Sequence, residues 1–129
     1  MRKVKIGFAK VGNIGCSPLM EFLLDERAER EDIEVRVFGS GSKMDPETCL
    51  AVATETIQYR PDLLVFTCPN AALPGPGRAR DLFRQSGLPT VIVSDNPAKK
   101  AIKAMEEAGI GYLIVEGDVM IGARREFLD

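Results

Sequence analysis

The chain has 129 residues, 45% hydrophobic and 28% charged, with a net charge of −2. That length and composition predict one globular domain with its own core. The near-neutral balance gives no electrostatic case for nucleic acid, and no apolar run approaches the length of a membrane span. Histidine is absent, and the three cysteines, Cys16, Cys49 and Cys68, form no CxxC pair. This argues against a zinc site or a disulfide framework and for a reducing, cytoplasmic setting.

Met1-Arg2-Lys3 leads straight into a predicted strand, so no signal peptide is expected. The first strand is predicted over Lys3 to Phe8. A Gly-containing loop, Lys10 to Pro18, follows it, with Ser17 expected as N-cap and Pro18 at the first helical position of the first helix. That helix is expected to turn Leu19, Phe22, Leu23 and Leu24 inward and Glu21, Asp25, Glu26 and Arg27 outward. Strand two, Glu34 to Phe38, alternates apolar and charged residues as an edge strand does. A loop through Ser40, Ser42 and Lys43 leads to Asp45, the expected cap of a second helix that runs to about Tyr59 and is stopped by Pro61.

Strand three, Asp62 to Thr67, is almost wholly apolar, the pattern of a strand buried on both faces, so it should be central and next to strand one. The loop Cys68 to Gly77 is rich in Pro and Gly, and stiff loops at strand ends often carry function. Helix three is expected over Arg78 to Ser86, ended by Gly87. Strand four spans Thr90 to Ser94, and Asp95-Asn-Pro97 opens a fourth helix that ends at Gly109. Strand five is Tyr112 to Val115, and Asp118 is expected to cap a last helix through Ile121, Phe127 and Leu128.

Five βα units with short connections predict an α/β fold: a doubly wound (Rossmann/flavodoxin-like) parallel sheet of about five strands, with helices on both faces. In such folds ligands bind outside the carboxyl ends of the strands, where the strand order reverses. A cap-competent residue precedes a proline at Ser17-Pro18, Asp45-Pro46, Gly75-Pro76 and Asn96-Pro97. These four helix N-termini are expected along one edge, which suits an anionic ligand. Each pairing also serves as plain punctuation between strand and helix.

The first loop offers Gly12-Asn-Ile-Gly15 and not GxGxxG, and no acid ends strand two to hold a ribose hydroxyl. Both points argue against NAD. The phosphate-transfer P-loop and the GxSxG elbow are missing, and without histidine the usual serine and cysteine triads are excluded. Asp45, Glu47 and Asp95 are the only carboxylates placed near the edge, and two of them are expected simply as helix caps or first-turn acids that complement the dipole. Anion-binding loops without acid–base machinery fit a binding domain. They also fit hydride transfer, which depends on positioning two rings more than on a proton donor.

Several blocks together resemble coenzyme F420-dependent methylenetetrahydromethanopterin dehydrogenase. They are Lys10-x-Gly-Asn-Ile-Gly15, Leu23-Leu-Asp-Glu-Arg-Ala28, Lys43-Met-Asp-Pro-Glu47, Pro69-Asn70 with Pro74-Gly-Pro76, and Gly122-Ala-Arg-Arg-Glu-Phe-Leu-Asp129. The likeness runs through the whole chain in order. It implies an archaeal, cytoplasmic oxidoreductase of one-carbon metabolism and methanogenesis. Such an enzyme transfers a hydride reversibly between F420, a dissociable deazaflavin cosubstrate, and methylene-/methenyl-tetrahydromethanopterin. It also implies a homo-oligomer with no metal and no flavin prosthetic group, ligands with phosphate and carboxylate tails, and no general acid, because the acceptor carbon is already cationic. The family's chains are longer, so residues 1–129 are expected to be the N-terminal α/β domain of that architecture.

The resemblance assigns the expected site as follows, with no catalytic side chain named. The backbone of Gly12, Asn13 and Gly15 approaches the deazaflavin or its phosphate. Lys10 and Lys43 bring positive charge, and Ser40 and Ser42 bring hydroxyl donors. Asp45 orients a polar ring group, and Asp95 lies at the same edge. Pro69, Asn70, Pro74, Gly75 and Pro76 form a stiff wall. Two other readings stay open: a truncated, non-catalytic cofactor-binding or assembly domain of that enzyme, and an NADP-type reductase domain.

Overall fold

The computed structural model describes residues 3–25 and 30–115. Five parallel strands form one sheet: β1 (Val4–Lys10), β2 (Ile33–Gly39), β3 (Leu63–Cys68), β4 (Thr90–Asp95) and β5 (Gly111–Val115). Their order is β2-β1-β3-β4-β5. The apolar β3 is central and pairs with β1 in register Ile6↔Leu63 to Lys10↔Thr67, and β2 is an edge. The connecting helices are α1 (Cys16–Asp25), α2 (Pro46–Gln58), α3 (Pro74–Ser86) and α4 (Ile102–Glu107), the last preceded by a 3-10 helix over Asn96–Ala101.

The order explains the two layers. The chain steps outward from β1 to β2, then crosses back past β1 to β3. With right-handed crossovers this reversal puts α1 on one face of the sheet and the later helices on the other. The larger core lies on the later-helix face. Ala9, Leu64, Phe66 and Ile92 meet Val52 and Ala53 of α2, Phe83 of α3 and Met105 of α4. The rings of Phe66 and Phe83 pack edge to face, 5.3 Å apart. On the opposite face Ile6, Phe8 and Val65 are covered by Met20 and Leu24 of α1.

Four expectations are corrected. Ser17 does not cap α1: the helix already starts at Cys16, and Ser17 is buried, its hydroxyl accepting from Thr67 Oγ1 at 3.3 Å. The same rotation of α1 packs Met20 and Leu24 on the sheet. Residues 17, 20, 21 and 24 face the sheet, and Leu19, Phe22 and Leu23 are 64%, 60% and 81% exposed. Helix three begins at Pro74 with Leu73 at the N-cap, because the Pro-Gly-Pro-Gly run itself forms the first turn. The stretch after Asp95 winds as a 3-10 helix before it becomes α4. The Asp25 side chain, Glu26, Arg27, Ala28 and the helix expected after Asp118, with its Gly122–Asp129 block, lie outside the described residues. No helix among the described residues is long and apolar enough to cross a membrane.

Candidate functional site

The loops after β1, β2 and β3 converge where the strand order reverses. Lys10, the last residue of β1, lies level with Gly39 of β2 and Thr67 of β3. Beyond it the chain turns sharply at Gly12, with φ 72°. A Cβ there would lie 2.7 Å from Met44 Sδ and 2.9 Å from Pro69 Cδ. Only glycine suits both that backbone angle and that crowding. The Gly12 amide donates to Ser40 Oγ at 3.4 Å. Ser40 in turn donates from its backbone to Lys10 O at 3.0 Å and from its hydroxyl to Lys43 O at 2.7 Å. The first and second loops are therefore tied through Ser40, and Met44 and Pro69 close the third against them.

The rim is polar. Asn13 and Gly15 are exposed on either side of the buried Ile14, which anchors the loop. Ser42 and Lys43 are exposed. Lys10 Nζ lies 3.3 Å from Glu21 Oε2 of α1, so one carboxylate already faces its charge. Asp45 caps α2, accepting from Thr48 N at 3.0 Å and Thr48 Oγ1 at 2.7 Å. Those bonds hold its carboxyl below the ordinary range, ionised at neutral pH. Asp95 accepts from Asn96 N at 2.7 Å.

The third loop is held from two sides. Asn70 Oδ1 accepts from Ala72 N at 3.0 Å, and Asn70 O accepts from Leu73 N at 3.2 Å. Pro69 and Asn70 are half-buried and Pro74 is exposed, whereas Gly75 and Pro76 are buried. A Cβ on Gly75 would come within 2.0 Å of Met44 O and 2.9 Å of Cys49 Sγ. Gly75 thus serves the contact of α3 with the start of α2.

Sequence reasoning missed three residues here. Ser94, fully buried, donates to Cys68 O at 2.7 Å and accepts from Ala71 N at 3.0 Å, pinning the third loop to β4. Thr67 binds β3 to Ser17 on the other face. Arg80 of α3 has a buried Nε without a hydrogen-bond partner. The hydroxyls had a legible signal, as polar residues inside otherwise apolar strands, but Arg80 reads like any solvated helical arginine.

The two buried thiols are poor nucleophiles. Burial pushes Cys68 up to about 12 and Cys49 up to about 11, so both stay protonated at neutral pH. No group of three or more Cys, Asp or Glu able to hold a metal occurs among the described residues. Chemically, the edge carries the exposed Ser42 and Lys43 and the half-buried Lys10, whereas the Ser40 hydroxyl, expected as a ligand donor, is spent on Lys43 O and the Gly12 amide on Ser40 Oγ. Cationic and hydroxyl groups so placed suit the electrostatic stabilisation of negative charge.

The family model described as methylene-5,6,7,8-tetrahydromethanopterin dehydrogenase matches residues 4–129. The chain is 52% identical over 127 residues to the F420-dependent methylenetetrahydromethanopterin dehydrogenase of Methanocaldococcus jannaschii, covering 98% of this chain and 46% of that one. It is 54% identical over 126 residues to the enzyme of the same name from Archaeoglobus fulgidus, covering 98% and 45%. A solved F420-dependent methylene-tetrahydromethanopterin dehydrogenase, in complex with methylene-tetrahydromethanopterin and coenzyme F420, is similar at TM-score 0.90 and 47% identity. That match covers 99% of this chain and 47% of the other. The chain spans about half the length of the curated relatives it matches.

Proposed function

The chain belongs to the methylene-5,6,7,8-tetrahydromethanopterin dehydrogenase family, and from that premise we propose that it carries the site of an F420-dependent hydride transfer. The substrate pair is methylene-/methenyl-tetrahydromethanopterin, and the deazaflavin F420 is the dissociable partner. The observation that carries the reading is the convergence of Gly12, Ser40, Met44 and Pro69 at the strand-order reversal, in a chain 47% identical to a solved dehydrogenase complexed with both ligands.

The residues fit the group. Gly12 leaves the loop without a side chain, Asn13, Gly15, Ser42 and Lys43 line an open polar rim, and Lys10 brings a second positive charge. Pro69 and Asn70 form a wall held by Ser94 through Ala71 and Cys68. Asp45 and Asp95 stay engaged as helix caps, and neither is asked to move a proton. When bound, F420 supplies or accepts the hydride. This chain's part is to hold the anionic tails and the flat rings in register. Cytoplasmic location and homo-oligomeric assembly belong to the same reading.

Fluorescence titration with F420 tests it, followed by oxidation of methylene-tetrahydromethanopterin read by deazaflavin absorbance. Micromolar binding with turnover is expected, and no binding at high micromolar F420 overturns it. A second reading is a cofactor-binding domain without turnover. Binding without turnover selects it.

A further inference from the structure

Arg80 lies in the second turn of α3, and among the described residues no ion pair or hydrogen bond engages its guanidinium. Helical side chains lean toward the N-terminus of their helix, and Arg80 does so: its Nη2 is 3.5 Å from where a Cβ on Gly77 would sit. The guanidinium therefore stands beside the first turn of α3. It is also close enough to the end of β3 for its charge to act on the Cys68 thiol. Arg80 is half-buried, and its Nε is buried without a hydrogen-bond partner. No carboxylate among the described residues forms an ion pair with it.

Two features of this placement are unfavourable in the protein alone. Buried donors are nearly always satisfied, and an exception calls for an explanation such as strain, a water or an ion. A cation near the first turn also opposes the helix dipole, which favours negative charge there. Arg84, in the last turn of the same helix, is placed as the dipole prefers. An anion beside the rest of the guanidinium removes the second penalty, because its charge offsets that of Arg80 next to the first turn.

The first turn of α3 is a poor anion cradle by itself. Pro74 and Pro76 have no amide hydrogen, and the Gly77 amide is spent on Leu73 O at 2.8 Å. The donors that such a turn ordinarily offers are mostly missing, and Arg80 stands beside them. We propose that Arg80 holds an oxyanion, a phosphate or a carboxylate, at the α3 end of the site. This rests on the reading that the carboxyl edge receives ligands with such tails, and it names the residue that takes one of them. Arginine suits the task because its planar fork meets two oxygens at once.

The test uses inorganic phosphate as the probe, with chloride at matched ionic strength as the control. Thermal unfolding of the wild-type protein should shift upward with phosphate and not with chloride. Arg80→Met should need at least tenfold more phosphate for the same shift, and Arg80→Lys should recover part of the response. In phosphate-free buffer Arg80→Met should melt no lower than wild type, because the guanidinium has no partner to lose. Equal phosphate responses, or an Arg80→Met protein that melts several degrees lower without phosphate, overturn the proposal.

Parallel titrations with F420 and with methylene-tetrahydromethanopterin identify the source of the anion: its affinity falls at least tenfold in Arg80→Met. Unchanged affinity for both also overturns the proposal. If the wild type binds neither, the enzyme reading fails, and the phosphate result still decides Arg80.

Discussion

Ser94 and Cys68 face each other across β4 and β3, and the Ser94 hydroxyl donates to the Cys68 carbonyl oxygen at 2.7 Å while accepting the Ala71 amide at 3.0 Å. One buried oxygen thus satisfies two backbone groups at the point where β3 becomes the third site loop. Ser94→Ala should leave the Ala71 N–H without its acceptor in a water-free setting. An orphaned buried donor costs about 1–3 kcal/mol, and urea denaturation should show a loss of that size. Because the same bond steadies Pro69 and Asn70, affinity for the ligand of that edge should fall in the folded variant.

Two glycines three residues from the start of α3 and one residue from it should respond in opposite directions to one added methyl. Gly75→Ala drives a Cβ to 2.0 Å from the Met44 carbonyl oxygen, a backbone atom that cannot swing aside. Overpacking of this kind costs about 1–3 kcal/mol and sometimes more, and here the upper end or beyond is expected. Gly77→Ala meets only Arg80 Nη2, at an ordinary 3.5 Å. Alanine is the better helix former by about 0.8–1.0 kcal/mol, so this variant should gain stability. Paired urea midpoints, one lowered and one raised, check both.

The buried thiols set an alkaline limit. Burial raises Cys49 from 9.0 to about 11, and it raises Cys68 from 9.0 to about 12. Below pH 9 both thiols are protonated whether the chain is folded or not, and their contribution to stability is complete. As pH climbs past 9 the unfolded chain sheds protons that the folded chain keeps, so stability falls. The decline continues until pH passes the folded values. Each thiol contributes a slope of about 1.4 kcal/mol per pH unit well inside its window. Tyr59, pushed up to about 12 by burial and by its bond to Glu34, adds a further decline only above pH 10. Denaturation of a Cys49→Ala, Cys68→Ala variant should start from a lower baseline, because two small cavities are left. Its stability should stay flat from pH 9 to 10, where the wild type declines.

The features legible in the sequence were those fixed by one element's own pattern. The unbroken apolar run of β3 announced a strand covered on both sides, and the alternation in β2 announced an edge. What escaped depended on contacts between distant segments. The rotation of α1 goes with Ser17 meeting Thr67, fifty residues away, and with Met20 and Leu24 packing on the sheet, and nothing within the helix favours that rotation over one that buries Leu19, Phe22 and Leu23. The role of Gly75 depends on the position of Met44 O, and that of Ser94 on Ala71 N. Gly12 was legible as a turn, but its crowding by Met44 and Pro69 was not.

The rotation of α1 makes the last prediction. Met20 and Leu24 pack on Ile6, Phe8 and Val65, and Leu19, Phe22 and Leu23 point to solvent. Exposed positions away from caps and networks tolerate change within about 0.5 kcal/mol. Leu23→Lys and Phe22→Lys should therefore leave the urea midpoint almost unmoved. Leu24→Ala, which removes a side chain lodged against the sheet, should cost about 2–3 kcal/mol, toward the lower end for a partly buried leucine. A helix turned as its own hydrophobic pattern suggests would give the reverse ranking for Leu23 and Phe22. Midpoints for these three variants, measured side by side, distinguish the two rotations. A large loss at Leu23 would show that the helix does not sit with Ser17 against Thr67.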